Sequence, residues 1–268
     1  MRRPIKLSAA ITLILGTGLA VLAFLTAWVG TQAWASPQAL SASSSEPNPT
    51  ALEEGKNGKR VVAVAPDWPG LSRGAKTEEA ALERLRSYLP RYAPVATGAG
   101  LMDEFTLEPD LEIVERYEGT GSTDFWGISF ASSAIDRQDM TEAELDRELA
   151  LLRACWSFFD DVRGRVTPVL RKGPRGGGWD RDKLVWHTVA NELEWGKNLG
   201  LPGMTDSMPD DTYLQDHRAA YAAAIRAYHA EDKMARKWTL RYLIRHTAFH
   251  TLDHAWQMED TDLSGEAA

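Results

Sequence analysis

Leu7 to Val29 runs for 23 residues without a charge and without an amphipathic period. Arg2, Arg3 and Lys6 precede it, and Ala33-Trp34-Ala35 follows it. A positive flank, an apolar run and an A-x-A site, here before Ser36, are the ordered parts of a secretory signal. The run is nevertheless longer than the about 7–15 residues of an ordinary signal core. It matches the about 20 residues that cross a bilayer, so a retained membrane anchor is the alternative. Either way the positive flank stays inside and the body is expected outside the cytoplasm. No cysteine follows the run, which excludes lipoprotein attachment.

Residues 36–59, SPQALSASSSEPNPTALEEGKNGK, lose all apolar period and predict a disordered tether. Period then returns. Arg60 to Ala65 is a Val-rich strand, and Asp67-Trp68-Pro69-Gly70 is a turn, since Pro presets φ and Gly accepts positive φ. Thr77 can cap a helix whose first turn carries Glu78 and Glu79, favourable at the positive end of the dipole. Ala80, Ala81, Leu85, Tyr88 and Leu89 form its apolar stripe, and Pro90 is expected to close it. Leu111 to Tyr117 is a second strand. Residues 60–118 thus predict a small α/β layer.

Residues 119–140 read as a connector rich in Gly, Ser and Asp. From Thr141 the period becomes helical. Thr141 and Glu144 make a capping box, and Leu145, Leu149, Leu152, Trp156 and Phe159 recur at threes and fours to about Arg165. Pro168 and the loop RKGPRGGG break the chain. A second helix starts at Asp180 or Asp182 and ends near Leu199, where Gly200, Pro202 and Gly203 stop it. A third spans about residues 210–230 and a fourth about 237–259. Four helices joined by short to medium links predict a bundle over 141–260. The expected class is therefore α+β and mainly α.

Composition adds exclusions. The net charge is -8, and it is more negative still without the basic N-terminal flank. An acidic body is a poor partner for phosphate backbones, which argues against nucleic acid. The single cysteine, Cys155, excludes an intrachain disulfide and any multi-cysteine metal site, and its apolar helical setting predicts a buried, inert thiol. Ten tryptophans, several near the histidines discussed next, read first as core.

Three of six histidines fall on the last helix: His246, His250 and His254. Residues four apart share a helix face, about 6 Å apart, so two such imidazoles can grip one ion. Eight residues span about 12 Å, so one ion takes His246/His250 or His250/His254 but not all three. A third ligand must come from a facing helix, and His187 on the second helix is the natural candidate. His217 and His229 have no partner at such spacing and are expected at the surface. His246, if not a ligand, is expected to be a supporting or surface residue.

The C-terminal part resembles the DinB superfamily of metal-binding four-helix bundles. The resemblance rests on His187 with Glu192 five residues on, and on His250-Thr251-Leu252-Asp253-His254-Ala255-Trp256-Gln257, which reads as the family's H-x-x-x-H-x-x-Q on its last helix. The resemblance implies His187, His250 and His254 as the metal ligands, and thiol-transferase or isomerase-like chemistry on a small molecule. The family's usual Arg-Gly after the last His is replaced by Ala255-Trp256, so substrate contacts do not carry over. The segment VVAVAPDWPGLSRGAKTEEAALERL, residues 61–85, resembles a HicB-like domain. It implies an accessory layer docked on the bundle.

Three neutral imidazoles suit zinc, nickel or another late divalent ion. Three protein ligands leave a position open, as in catalytic rather than structural zinc sites. Such a site supports a metal-dependent transferase or hydrolase acting on a small molecule; a non-enzymatic metal-binding or interaction module is the alternative. Glu192 lies off the face of His187 and reads as a helix tie. Glu194 shares that face and is the remaining candidate for a catalytic group. Asp253 reads as a solvated charge or as an orienter of an imidazole on another helix. Arg171, Lys172 and Arg175 precede the second helix, where they can hold an anionic substrate or simply form a connector.

Overall fold

The computed structural model describes residues 47–173, 177–204 and 207–266. The expected export segment, the tether up to residue 46, and Arg175 lie outside them. The described chain is α+β, with one four-stranded sheet and six α-helices.

The tether expectation fails from Asn48 onward. Asn48–Glu54 is a strand, β1, with neighbours on both sides. It pairs antiparallel with β2 (Val61–Val64) and parallel with β4 (Leu111–Glu118), and β2 pairs antiparallel with β3 (Ser72–Ala75). Both faces of β1 are covered, so Thr50, Ala51, Leu52 and Glu53 are all buried and no alternation shows. The acid in this run, which argues against a strand by eye, has its own partners. Glu53 accepts from Thr123 Oγ1 (2.5 Å), Ser129 Oγ (2.7 Å), Tyr117 Oη (3.2 Å) and the amides of Phe130 (3.1 Å) and Ala131 (3.3 Å).

Helix α1 (Glu78–Gly98) starts at the expected cap, Thr77 Oγ1 accepting from Ala80 N, but Pro90 does not close it. Pro90 and Pro94 both lie inside. The stripe Ala81, Leu85, Leu89, Tyr92, Val95 and Ala96 stays buried across them, so packing outweighs the lost backbone bonds. The connector 119–140 is ordered. It holds a short helix, α2 (Gly121–Trp126), and covers the face of the sheet that carries Glu53.

The four long helices fall where their periods place them: α3 (Glu142–Arg165), α4 (Arg181–Gly196), α5 (Asp211–Ala230) and α6 (Leu240–Thr261). The Thr141/Glu144 capping box is formed. Arg241 reaches Glu144 and Glu148 while Arg165 reaches Glu259, so α3 and α6 run parallel. Arg163–Asp211 and Arg226–Asp146 set α5 antiparallel to α3. His187 lies by His254 and Trp195 by His246, so α4 is antiparallel to α6. Helices α4 and α5 therefore run the same way, which requires the long crossover between them. Phe159, Val162, Val189, Leu193, Leu214, Ala255 and Met258 knit the four into one core. A second core runs from Leu52 and Leu85 to Leu145, Tyr221 and Trp256, so the sheet layer and the helices are not separate bodies.

The sheet layer holds α6 at two points. Gly70 (φ +91°) sets the D-W-P-G turn directly on α6, where an added Cβ would lie 3.0 Å from Ala248 O and 2.8 Å from Leu252 Cδ1. Arg73 on β3 binds Asp253 at 3.0 Å, its guanidinium 3.8 Å from the centre of the Tyr88 ring and 4.3 Å from that of Trp256. Asp253 is thus neither a free surface charge nor an imidazole orienter.

One buried acid gives the fold a pH signature. Glu148 on α3 lies under Arg241 (3.4 Å), and its Oε2 has no hydrogen-bond partner among the described residues. Burial pushes its carboxyl up to about 7, against the pull of Arg241 and Arg147 and with added push from Asp136 and Asp67. The folded state therefore holds this proton over a range where the unfolded chain, titrating near the usual value of about 4.3, has released it. Stability contributed by this group should fall as pH rises from about 4.5 to about 7. We expect Glu148→Gln to match wild type at pH 4.5 and to exceed it at pH 8 by up to about 3 kcal/mol. Urea unfolding at the two pH values checks this; an equal gain at both would remove Glu148 as the titrating group.

Candidate metal centre

Two helices build the site. His250 and His254 stand one turn apart on α6, and His187 stands on α4 across from them. Each of the three offers a ring nitrogen, and these atoms all lie within 4.8 Å of one another. The three side chains are close enough to bind one metal ion. His187 Nε2 and His250 Nε2 are 3.2 Å apart. Two nitrogens at 2.0–2.1 Å from a tetrahedral ion stand about 3.3 Å apart, so this pair already has ligand spacing. All three residues are half-buried. No fourth His, Cys, Asp or Glu joins the group among the described residues.

The local chemistry prepares the rings as ligands. His254 Nδ1 lies 2.9 Å from Gln257 Oε1. An amide oxygen only accepts, so Nδ1 carries the proton and Nε2 presents its lone pair. Gln257 sits three residues on, which is why it reaches the same face. Burial, then the neighbouring His254, lowers the pKa of His187; burial, then the other imidazoles, holds His250 well below the usual range. Both are neutral at pH 7, the state that binds metal. Asn191 donates to His187 O at 2.8 Å, and Trp179 packs edge-to-face on the His187 ring at 5.0 Å. Trp195 does the same for His250, also at 5.0 Å.

His246 stands apart from the group. It is buried in an aromatic cage of Trp195 (4.6 Å), Phe130 (4.7 Å), Trp238 (5.3 Å) and Tyr242 (5.4 Å). Burial and the adjacent Arg245 push its pKa down to about 3. It supports Trp195, which touches both His246 and His250. This indirect role was legible only as an alternative to ligation, because the cage comes from four separate segments.

The remaining candidates fall out differently. Glu192 is the expected helix tie: fully buried, it takes Arg218 Nε at 2.8 Å and Nη2 at 3.0 Å. Glu194 is exposed and holds Lys197 Nζ at 2.8 Å, with no hydrogen bond to the histidines among the described residues. Arg171 donates to Asp260 O (3.2 Å), and Lys172 pairs with Asp180, so both cations tie the loop to its surroundings. His217 is buried, not at the surface as its spacing suggested. Gly196 leaves room for its ring, 3.0 Å from where a Cβ would stand, and burial pushes its pKa down to about 4. His229 is half-buried and meets Met140 O at 2.6 Å. Cys155 is fully buried, and burial raises its thiol far above the usual range, as an inert core thiol requires.

We expect His187→Ala, His250→Ala and His254→Ala each to lower divalent-metal affinity more than 100-fold, since losing a ligand exceeds the about 10–100-fold cost of losing an outer partner. Gln257→Ala should cost about 10-fold, by freeing the His254 tautomer. His246→Ala should have a milder effect. Competition titration against a chromogenic chelator measures all five; unchanged affinity in His254→Ala would remove it from the site.

Comparison of the chain with protein-family models, with curated proteins and with solved structures finds no match.

Proposed function

We propose that this protein is an exported, DinB-like metal protein that binds one divalent ion, zinc or nickel, through His187, His250 and His254, and that it acts as a metal-dependent hydrolase or transferase on a small molecule. The observation that carries this reading is the convergence of three ring nitrogens with one tautomer set by Gln257. The facing antiparallel helices α4 and α6 carry one and two of the three histidines, as the resemblance to DinB-like bundles implies.

A divalent ion there supplies a Lewis acid able to activate water or ionise a thiol. The chain contributes the rest. Gln257 orients the His254 imidazole, Trp195 and Trp179 wall the site, and the three histidines are only half-buried. The protein's own thiol takes no part, because Cys155 is enclosed in the core. Small thiols are scarce outside the membrane, so hydrolysis is favoured over thiol transfer. The non-enzymatic reading needs a closed site, and the absence of a fourth protein ligand among the described residues favours an open one.

Elemental analysis of untagged protein should find about one divalent ion per chain, and background levels in His250→Ala. In the cobalt-substituted protein, added 2-mercaptoethanol or azide should change the visible spectrum by entering the open position; an unresponsive spectrum would mean a closed, non-catalytic site. N-terminal sequencing and fractionation should find either a chain beginning at Ser36 or an intact chain in the membrane fraction. Intact protein found only in the cytosol would overturn the export reading.

A further inference from the structure

The short helix α2 carries Phe125 and Trp126, each 67% exposed, the most exposed large apolar side chains among the described residues. They pack edge-to-face at 4.4 Å and turn outward together. Their mounting is rigid. Thr120 and Thr123 form a capping box, and Thr123 Oγ1 reaches the buried Glu53. Asp124, between the caps and the aromatics, accepts from Asn57 N (2.7 Å), Asn57 Nδ2 (2.9 Å) and Lys59 N (3.0 Å). Gly127, left-handed at φ +72°, ends the helix against β3, so close that a Cβ on Gly74 would stand 2.2 Å from Gly127 O. An apolar pair that so many bonds hold in water is not a frayed loop; exposed apolar patches of this kind mark interaction sites.

The same bonds bring a second feature alongside. Asp124 grips the β1–β2 turn, Gly55-Lys56-Asn57-Gly58-Lys59-Arg60, which carries three cations and no acid. Lys56 and Lys59 are exposed, and Arg60 Cδ lies 3.1 Å from where a Cβ on Gly127 would be. Asp124 itself is buried and spent on the turn's amides. Glu118 is exposed at the neighbouring strand end, while Glu54 is occupied by Arg116. On a chain of net charge -8, the tip made by 55–60 and 121–127 is thus locally basic and aromatic.

We propose that this tip docks on the surface of an anionic lipid bilayer, Phe125 and Trp126 entering the headgroup boundary and Lys56, Lys59 and Arg60 meeting lipid phosphates. Aromatic side chains prefer that boundary, and each nearby Lys or Arg strengthens attraction to an anionic leaflet. Single-stranded nucleic acid would also want cations and rings. It is disfavoured because the two crossed rings do not offer parallel stacking faces to successive bases. The choice of a bilayer rests on the expected export segment Leu7–Val29; the tip itself stands on geometry independently of that segment and of the metal site.

Full-length protein is reconstituted in vesicles of phosphatidylcholine with or without phosphatidylglycerol, part of the lipid carrying brominated acyl chains that quench nearby indoles. Wild type should lose more tryptophan emission than Trp126→Phe, and the difference should grow with phosphatidylglycerol and shrink at high salt. Lys56→Gln/Lys59→Gln should lower the docked-to-undocked ratio by roughly 5-fold per lysine, from about 1 kcal/mol each. Equal quenching in wild type and Trp126→Phe would overturn docking even if the N-terminal segment inserts. Binding of a labelled oligothymidylate through the same lysines, without lipid quenching, would overturn it in favour of nucleic acid. Metal content unchanged in these variants shows that the fold and the metal site are intact, so failure of docking leaves the proposed function standing.

Discussion

Helix α6 is enclosed on nearly every side, and that enclosure makes partners valuable for its polar side chains. Arg245 is fully buried and answered by Asp136, Ser129 and the carbonyl of Ala131. Thr247 meets Tyr221, Asp253 meets Arg73, and Thr239 caps the helix start while its hydroxyl donates to Asp136 O. His246 is housed by rings. What remains on the α4 side is the turn from His250 to His254, and there His187 stands opposite. There, among the described residues, three ring nitrogens converge within 4.8 Å of one another, close enough to bind one metal ion.

This arrangement explains why the small sheet and the connector matter to a site they do not touch. Glu53 at the centre of the sheet gathers the connector, and the connector delivers Asp136, Ser129 and Ala131 to Arg245. From the other side the D-W-P-G turn and Arg73 press on the stretch Ala248–Asp253. Both clamps fall within five residues of His250. The sheet layer thus fixes the rotation and height of the helix that carries His250 and His254, through tight packing.

The chemistry favours a ligand set that is neutral and preorganised. No carboxylate enters the group among the described residues, so the site would leave a divalent ion's charge intact and its attraction for an anionic or polarisable substrate strong. Aromatic walls at Trp179 and Trp195 keep the imidazoles from turning away and exclude part of the surrounding water.

Local patterns in the chain determined the four long helices, the Thr77 and Thr141 caps and the shared face of His246, His250 and His254. Thr141 with Glu144, the three-and-four period of α3, and the four-residue spacing of His250 and His254 are short-range facts that any fold must respect. Local pattern misjudged what depends on coverage from elsewhere. Strand β1 showed no alternation because both of its faces are buried, and Glu53 looked like a surface acid because its five donors lie 64 to 78 residues away. Pro90 marked a stop that the packing of α1 overrode. Spacing makes His246 and His254 equally able to join His250; the resemblance, and the cation Arg245 beside His246, favour His254. In the tertiary structure His246 is enclosed in a cage drawn from α4, the connector, the α5–α6 turn and α6 itself, while His254 faces His187. Helical spacing sets which residues share a face; which face meets another ligand is decided only by how the helices pack.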